Sequence, residues 1–193
     1  MKNQQKLDLL KDKLTGDNPC PELAEGASQL VFGSGNPNAE IVFVGEAPGK
    51  QEDKLGVPFV GASGKFLDEM LALADLNRHD VYITNIVKFR PPENRDPSPV
   101  EKEAFWPYLL EEISIIKPKI IATLGRHSGQ AFIKSLRIGA DHGKPQTVEL
   151  TTGLSKSIRV VVVPLYHPAA ALYNGSLRQT LLDDFTIVNK IIN

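Results

Sequence analysis

Four consecutive apolar residues followed at once by a turn of small residues constrain this chain more than any other feature. Residues 41–44, Ile-Val-Phe-Val, precede residues 45–49, Gly-Glu-Ala-Pro-Gly. A short apolar run bounded by turn residues is typical of a strand buried on both faces, as in parallel sheets. Open parallel sheets bind ligands at the carboxyl ends of their strands. The segment therefore predicts a parallel sheet with a pocket beside residues 45–49.

Three further apolar runs are also predicted to be strands, and segments with a helical pattern of apolar residues separate them. Strands are predicted at residues 41–45, 80–87, 120–124 and 159–165, and helices at 2–15, 63–73, 99–116, 126–136 and 177–192. Val148 and Leu150 suggest a hairpin within 137–157. This alternation predicts an α/β fold, a three-layer α/β/α arrangement with a central four-stranded parallel sheet. The chain carries no internal repeat and no linker, which favours a single domain over residues 1–193.

Composition limits the partners and the compartment. The formal net charge is −1, so no global positive field draws the chain to nucleic acid, although a local basic groove is still compatible with it. The single cysteine, Cys20, excludes an intramolecular disulfide and fits a reducing compartment. The chain has no apolar run of the roughly 20 residues that span a bilayer. We expect a cytoplasmic monomer with no membrane association.

Polar or small residues follow every predicted strand. They occupy positions 45–53, 84–90, 125–127 and 166–168. Because the carboxyl ends of parallel strands share one edge of the sheet, these stretches converge there. Residues 88–99 hold four prolines and predict a stiff surface loop at the same edge. The pattern indicates a ligand site, but many unrelated α/β enzymes share it.

Five motifs in one order carry a more specific signal. They are Gly-Glu-Ala-Pro-Gly at 45–49, Pro-Phe-Val-Gly at 58–61, Thr-Asn at 84–85, Arg-Pro-Pro-Glu-Asn-Arg at 90–95 and His-Pro at 167–168. Together they resemble the uracil-DNA glycosylase superfamily, and most closely its family 4. The resemblance extends from about Cys20 to about Arg178. It implies removal of uracil from single- or double-stranded DNA by hydrolysis of the N-glycosidic bond, in base excision repair.

The resemblance also implies the roles of particular residues. The uracil-binding residues would be Glu46, Ala47, Pro48, Phe59, Asn85 and His167. Phe59 would stack on the base, Asn85 would read its edge, and His167 would stabilise the departing base as a catalytic residue. Each has a plainer alternative, since Phe59 could be a core aromatic, Asn85 a turn former and His167 a structural histidine.

The catalytic carboxylate is the least defined of these residues. Better-known relatives place an aspartate that orients the water directly after the position of Glu46, and Ala47 stands there in this chain. We assign the catalytic carboxylate to Glu46. Two alternatives stay open: Glu52 together with Asp53 could supply it, or the reaction could depend on His167 and the electrostatics of the substrate.

Contacts to DNA are predicted at the same edge of the sheet. The candidate residues are Ser63, Lys88, Arg90, Leu172 and Arg178. Ser63 would cap a helix whose amino-terminal amides face a phosphate. Leu172, with Tyr173 as the alternative, lies where relatives insert an apolar wedge into the vacated base stack.

The cysteines depart from the family pattern. Family 4 usually holds a four-iron four-sulfur cluster through four cysteines, and this chain offers only Cys20. Asp17, Phe89 and one residue of 104–106 stand at the other three positions. One thiolate cannot hold such a cluster, so we predict no cluster and no metal. A catalytically weak DNA-binding or polymerase-associated homologue is therefore an alternative function, and an α/β hydrolase of free nucleotides is another.

Overall fold

The structure is a computed structural model that describes residues 1–151 and 157–192. Its helices are α1 (Asn3–Asp17), α2 (Pro21–Gly26), α3 (Lys50–Leu55), α4 (Ala62–Leu73), α5 (Pro99–Ile116), α6 (Arg126–Phe132), α7 (Ile138–Asp141), α8 (Pro168–Tyr173) and α9 (Ser176–Ile192). Its strands are β1 (Ser34–Gly35), β2 (Ile41–Gly45), β3 (Tyr82–Asn85), β4 (Ile120–Leu124), β5 (Gln146–Thr151) and β6 (Ser157–Leu165). No helix in these ranges is both long enough and apolar enough to cross a membrane.

The strands form one six-stranded sheet in the order β1-β3-β2-β4-β6-β5. The four inner strands are parallel, as the sequence predicts. The sheet is wider than the predicted four strands, because β1 and β5 add an antiparallel strand at each edge. Strand β1 has two residues and β5 is largely exposed, so neither has the continuous apolar run that marks the inner strands. The predicted hairpin is β5–β6, and residues 152–156 lie outside the described ranges.

Alternate residues of the inner strands build two separate cores. Val42 and Val44 of β2 pack on one face with residues of α1 and α5. Ile41 and Phe43 pack on the opposite face with residues of α4 and α9, where the Phe43 ring stacks on Phe185 at 5.3 Å. The sheet is therefore covered on both sides, which confirms the three-layer α/β/α arrangement.

Several element boundaries differ from the predictions. The strand predicted at 80–87 narrows to β3, and the helix predicted at 126–136 ends at Phe132. Helix α3 was predicted as loop, although acidic residues at its start and glycines at both ends are typical helix signals. Helix α4 begins one residue before Ser63, and Gly61 stands at its cap position without a side-chain hydrogen bond. The predicted capping role of Ser63 is therefore wrong.

Candidate active site

A cavity of about 260 Å³ opens at the carboxyl edge of the parallel strands. Its lining comes from the ends of β2 and β3 and from the starts of three helices, and comprises Ala47, Gly49, Glu52, Phe59, Gly61, Ala62, Ser63, Asn85, His167, Ala169, Leu172 and Tyr173. A cavity of this size is at the small end of ligand pockets and suits a single flat ring. The structure thus places Phe59, Asn85 and His167, which are distant in sequence, around one cavity.

Gly45 at the end of β2 allows two of these side chains to approach each other. A Cβ atom built on Gly45 would lie 2.3 Å from Oδ1 of Asn85 and 2.6 Å from Cζ of Phe59. Real side chains essentially never come that close, so only glycine leaves room for both groups. The missing side chain of Gly45 therefore leaves the space in which the Asn85 amide and the Phe59 ring lie.

Asn85 is the last residue of β3, and only 2% of its surface is exposed. Its Oδ1 has no hydrogen-bond partner among the described residues. A buried amide oxygen without a partner costs stability and is rare in native proteins, where such groups usually have a functional explanation. The amide is therefore ready to bind a ligand that offers a hydrogen-bond donor.

His167 precedes α8, and its ring centre lies 5.9 Å from that of Phe59. Its Nδ1 accepts a hydrogen bond from the Ala169 amide at 3.1 Å, so the neutral ring carries its proton on Nε2. Desolvation lowers the pKa of His167 from 6.5 to about 4, while the carboxylate of Glu52 acts weakly in the opposite direction. At neutral pH the imidazole is uncharged and can donate a hydrogen bond from Nε2.

Glu46 does not line the cavity. Its Oε1 lies 2.9 Å from Nζ of Lys102 and 3.8 Å from Nδ1 of His127. Ala47 faces the cavity instead, since neighbouring side chains at the end of a strand point to opposite sides. Pro48 is buried and also lies outside the lining. Neither Glu46 nor Pro48 lines the cavity, so their predicted contacts with uracil stay predictions.

Glu46 instead belongs to a small cluster on the far side of the loop. Ligand atoms of Glu46, Asp96 and His127 lie within 4.8 Å of one another. The Nε2 atom of His127 lies 3.1 Å from Oδ2 of Asp96. The Lys102 ammonium neutralises part of the negative charge, but the buried Oε1 of Glu46 has no hydrogen bond of good geometry among the described residues.

Glu52 is the carboxylate that does line the cavity. Its Oε1 accepts hydrogen bonds from the amides of Val60 at 2.9 Å and Gly61 at 2.7 Å. Asp53, the neighbouring alternative, is buried and accepts bonds from the amide and hydroxyl of Ser28, both at 2.8 Å. Of the acidic candidates from the sequence, Glu52 alone combines access to the cavity with a fixed position.

Comparisons of the sequence with known proteins show the family of this chain. A sequence model described as the Uracil DNA glycosylase superfamily matches residues 32–188. The chain belongs to the uracil-DNA glycosylase superfamily. It is 44% identical over 191 residues to a type-4 uracil-DNA glycosylase of Sulfurisphaera tokodaii, covering 96% of this chain and 84% of that protein. It is 46% identical over 176 residues to one of Archaeoglobus fulgidus, covering 88% and 85% respectively.

A third similarity is to a protein of another kind. The chain is 30% identical over 182 residues to a DNA polymerase of Bacillus phage SP01, and the match covers 94% of this chain but 18% of that polymerase. The chain thus also resembles one segment of a much larger DNA polymerase.

The residues predicted to contact DNA have different environments in this superfamily member. Leu172 and Tyr173 stand at the rim of the cavity with 49% and 91% of their surface exposed, and Ser63 lines the same cavity. Arg178 is half-exposed, pairs with Glu69 and lies 4.5 Å from the centre of the Phe66 ring.

Arg90 and Lys88 differ sharply. The Nε of Arg90 donates to Oδ1 of Asn94 at 2.7 Å on the exposed proline-rich loop. Lys88 is completely buried, and its Nζ lies 2.5 Å from Oε2 of Glu112 and 2.6 Å from Oγ1 of Thr84. The prediction that Lys88 contacts DNA is wrong, because its charge is neutralised inside the core.

The iron–sulfur positions of family 4 hold groups that do not suit a cluster. Asp17 accepts a hydrogen bond from the Tyr108 hydroxyl at 2.7 Å. Phe89 packs edge-on against Phe105, with ring centres 6.1 Å apart. Cys20 supplies the only thiol in the sequence, so these residues do not fit a group that needs four ligands.

Proposed function

We propose that this protein hydrolyses the N-glycosidic bond of uracil in DNA, with the base flipped out of the stack into the cavity beside Phe59. The observation that supports this most is the unpaired Oδ1 of Asn85, buried opposite an aromatic ring in a cavity of about 260 Å³. Removing a base from a duplex costs a few kcal/mol, and stacking on an aromatic side chain returns roughly 1–3 kcal/mol.

Asn85 would select uracil by its hydrogen-bonding edge. Uracil presents an N3–H donor and an O4 acceptor side by side, and an amide can meet both, with Oδ1 accepting and Nδ2 donating. Cytosine presents an acceptor at N3 and an amino donor at C4, which leaves the same amide mismatched. In a buried site each unmatched polar group costs about 1–3 kcal/mol, so the pocket discriminates against cytosine.

The reaction breaks the bond between C1′ of deoxyribose and N1 of uracil. The bonding electron pair leaves with the base, so negative charge spreads onto O2 while the sugar becomes positive. The neutral His167 can donate from Nε2 to O2, and a preorganised donor of this kind contributes about 3–4 kcal/mol. Water then attacks C1′ and gives up a proton, the uracil anion takes up a proton, and the products are neutral uracil and an abasic site.

Glu52 is our choice for the carboxylate that faces the sugar and the attacking water. It lines the cavity and is held by two backbone amides, whereas Glu46 is paired with Lys102 outside it. A negative charge there stabilises the positive sugar and orients the water. This replaces the earlier assignment to Glu46.

The decisive test is release of uracil from labelled single-stranded and duplex oligonucleotides. We expect uracil release by the wild-type protein, and losses of at least a hundredfold in Asn85→Ala and His167→Ala. Glu52→Gln should lose more activity than Glu46→Gln, which serves as its matched control. No release from either substrate by folded protein would refute the proposal, and a greater loss in Glu46→Gln would return the carboxylate role to that residue.

The unusual cysteine content and the match to a phage polymerase support one alternative. In that case the protein is a catalytically weak homologue that binds DNA or a polymerase. It would bind DNA without a preference for uracil and would leave the uracil oligonucleotide intact. The same assay, combined with a binding measurement on matched oligonucleotides with and without uracil, separates the two functions.

We also propose that the protein works without an iron–sulfur cluster, as a cytoplasmic monomer. The single thiol of Cys20 and the described neighbours of the other three positions support this. One chain also supplies every group that we assign to the reaction. Iron content and visible absorbance after anaerobic purification test the first point, and light scattering tests the second. Iron near four atoms per chain would overturn the first point, and a stable dimer the second.

A further inference from the structure

The backbone at Phe59 is in a conformation that this residue type rarely adopts. Its φ angle is 53°, in the left-handed region that normally favours glycine. Such a conformation persists only where the surrounding structure holds it in place. Because the ring direction depends on this backbone angle, whatever holds the backbone also aims the ring into the cavity.

Arg78 makes the contacts that hold it. Its Nη1 donates to the carbonyl oxygen of Pro58 at 3.2 Å, and its Nη2 donates to the carbonyl oxygens of Phe59 and of Gly64, the latter at 3.3 Å. Its Nε pairs with Asp68 at 2.5 Å. One guanidinium therefore binds three carbonyl groups of the segment that carries Phe59 and the start of α4.

The same segment is fixed from its other side by contacts that do not involve Arg78. The amides of Val60 and Gly61 donate to Glu52. A Cβ atom on Gly64 would lie 1.9 Å from the Phe59 carbonyl oxygen, so the segment lies directly on α4. Among the described residues, Arg78 is the side chain that donates hydrogen bonds to the carbonyl oxygens of Pro58 and Phe59.

We propose that Arg78 is a positioning residue for uracil recognition, which acts by holding residues 58–59 so that the Phe59 ring faces the base. Arg78 is not part of the cavity lining and does not reach the base itself. The inference rests on the proposed function, because it assigns to Arg78 the orientation of the stacking ring of that site.

The test is a double-mutant cycle between Arg78→Lys and Phe59→Ala, read by the dissociation constant of free uracil. Lysine keeps the positive charge but is a point donor that cannot match several carbonyl groups with fixed geometry. We expect Arg78→Lys to weaken uracil binding about tenfold, which corresponds to about 1.4 kcal/mol. In the Phe59→Ala background the same change should alter binding less than twofold, because the group through which it acts is gone.

Three controls separate positioning from general stability and from phosphate binding. Asp68→Asn removes the ion-pair partner and leaves the guanidinium–carbonyl contacts, so uracil binding should stay within twofold of wild type. Binding of undamaged DNA should also stay within twofold in Arg78→Lys. A crystal structure of Arg78→Lys should place Phe59 at a negative φ angle or its ring outside the cavity.

The results that would overturn the proposal differ from those that would overturn the function. Failure of wild-type protein to bind or release uracil refutes the function and the inference together. Normal wild-type activity with unchanged uracil binding in Arg78→Lys refutes the inference alone. Equal effects of Arg78→Lys in both backgrounds, or an unmoved Phe59 in the variant crystal structure, also refute it.

Discussion

The Nδ1 atom of His167 accepts a hydrogen bond from the backbone amide of Ala169 at 3.1 Å. This contact determines the tautomer, because an acceptor at Nδ1 places the proton of the neutral ring on Nε2. Desolvation keeps the ring neutral by lowering its pKa to about 4. The N-cap position of α8 and the burial of the ring thus make His167 an uncharged hydrogen-bond donor in the cavity that Asn85 and Phe59 also line.

The lowered pKa of His167 makes stability depend on pH over a defined window. Between pH 6.5 and about 4 the unfolded chain binds a proton at this residue that the folded chain does not bind. The free energy of unfolding therefore rises with pH across that window, and this contribution is lost as the pH falls. As the pH is lowered from 6.5 to 4.5, we expect the free energy of unfolding, measured with urea, to fall less in His167→Asn than in wild type.

The matched control for that measurement is His79→Asn, because the side chain of His79 is 81% exposed. It should keep the wild-type dependence. Equal slopes in wild type and His167→Asn would contradict the assignment.

The rate of uracil release should depend little on His167 protonation at ordinary pH. Because the ring stays neutral down to about pH 4, its titration adds no inflection near pH 6.5. Single-turnover rates measured from pH 5.5 to 8 should therefore be lower in His167→Asn than in wild type, but the two curves of rate against pH should have the same shape. An inflection near pH 6.5 that disappears in the variant would show a charged catalytic imidazole instead.

Gly45→Ala should damage the site more than the fold. The added methyl group would overlap Asn85 and Phe59, so both side chains must shift. Overpacking of this kind costs roughly 1–3 kcal/mol of unfolding free energy, and we expect uracil release to fall at least tenfold. Gly16→Ala in α1 is the control, since no heavy atom among those described lies within 4 Å of its added Cβ. That control should leave activity unchanged, and similar losses in both variants would refute the prediction.

Leu172 offers a test of strand preference. It stands half-exposed at the rim of the cavity, so Leu172→Ala removes little buried surface and should leave the melting temperature within a degree or two. An apolar side chain that fills a vacated base stack matters in a duplex and much less in a single strand. We expect release from duplex DNA to fall roughly tenfold and release from single strands to change less than twofold.

Leu9→Ala is the matched control for Leu172, because Leu9 is an exposed leucine of α1. It should behave as wild type on both substrates. Equal losses on single strands and duplexes in Leu172→Ala would rule out a role in the base stack.

The buried pair of Lys88 and Glu112 should respond to mutation as a unit. Desolvation lowers the pKa of Lys88, while the Glu112 carboxylate at 2.5 Å opposes that effect. Lys88→Met leaves the buried carboxylate without its positive partner, although the hydroxyls of Tyr82 and Thr84 still donate to it, and should cost about 3–5 kcal/mol in urea unfolding. Lys88→Met combined with Glu112→Leu should recover most of that loss. A small effect of the single change, or weaker DNA binding by the stable double variant, would contradict this interpretation.

Much of the fold was readable because the inner strands are apolar on both faces. The runs at 41–44 and 120–124 have no amphipathic alternation, and the glycine that follows each, Gly45 or Gly125, marks the end of the strand. Apolar runs did not predict β1 and β5 as strands of the sheet, because these edge strands are short or half-exposed and contain few apolar residues.

By itself the sequence determined which residue types end each parallel strand, and hence that Asn85 and His167 share one edge of the sheet. Phe59 ends no strand, and only the resemblance of its motif to the family assigned it to the same site. Only the tertiary structure decided which way the neighbouring side chains point. Glu46 and Ala47 are adjacent, yet one pairs with Lys102 and the other faces the cavity. Such choices depend on partners that are far away in the sequence, and local patterns carry no information about those partners.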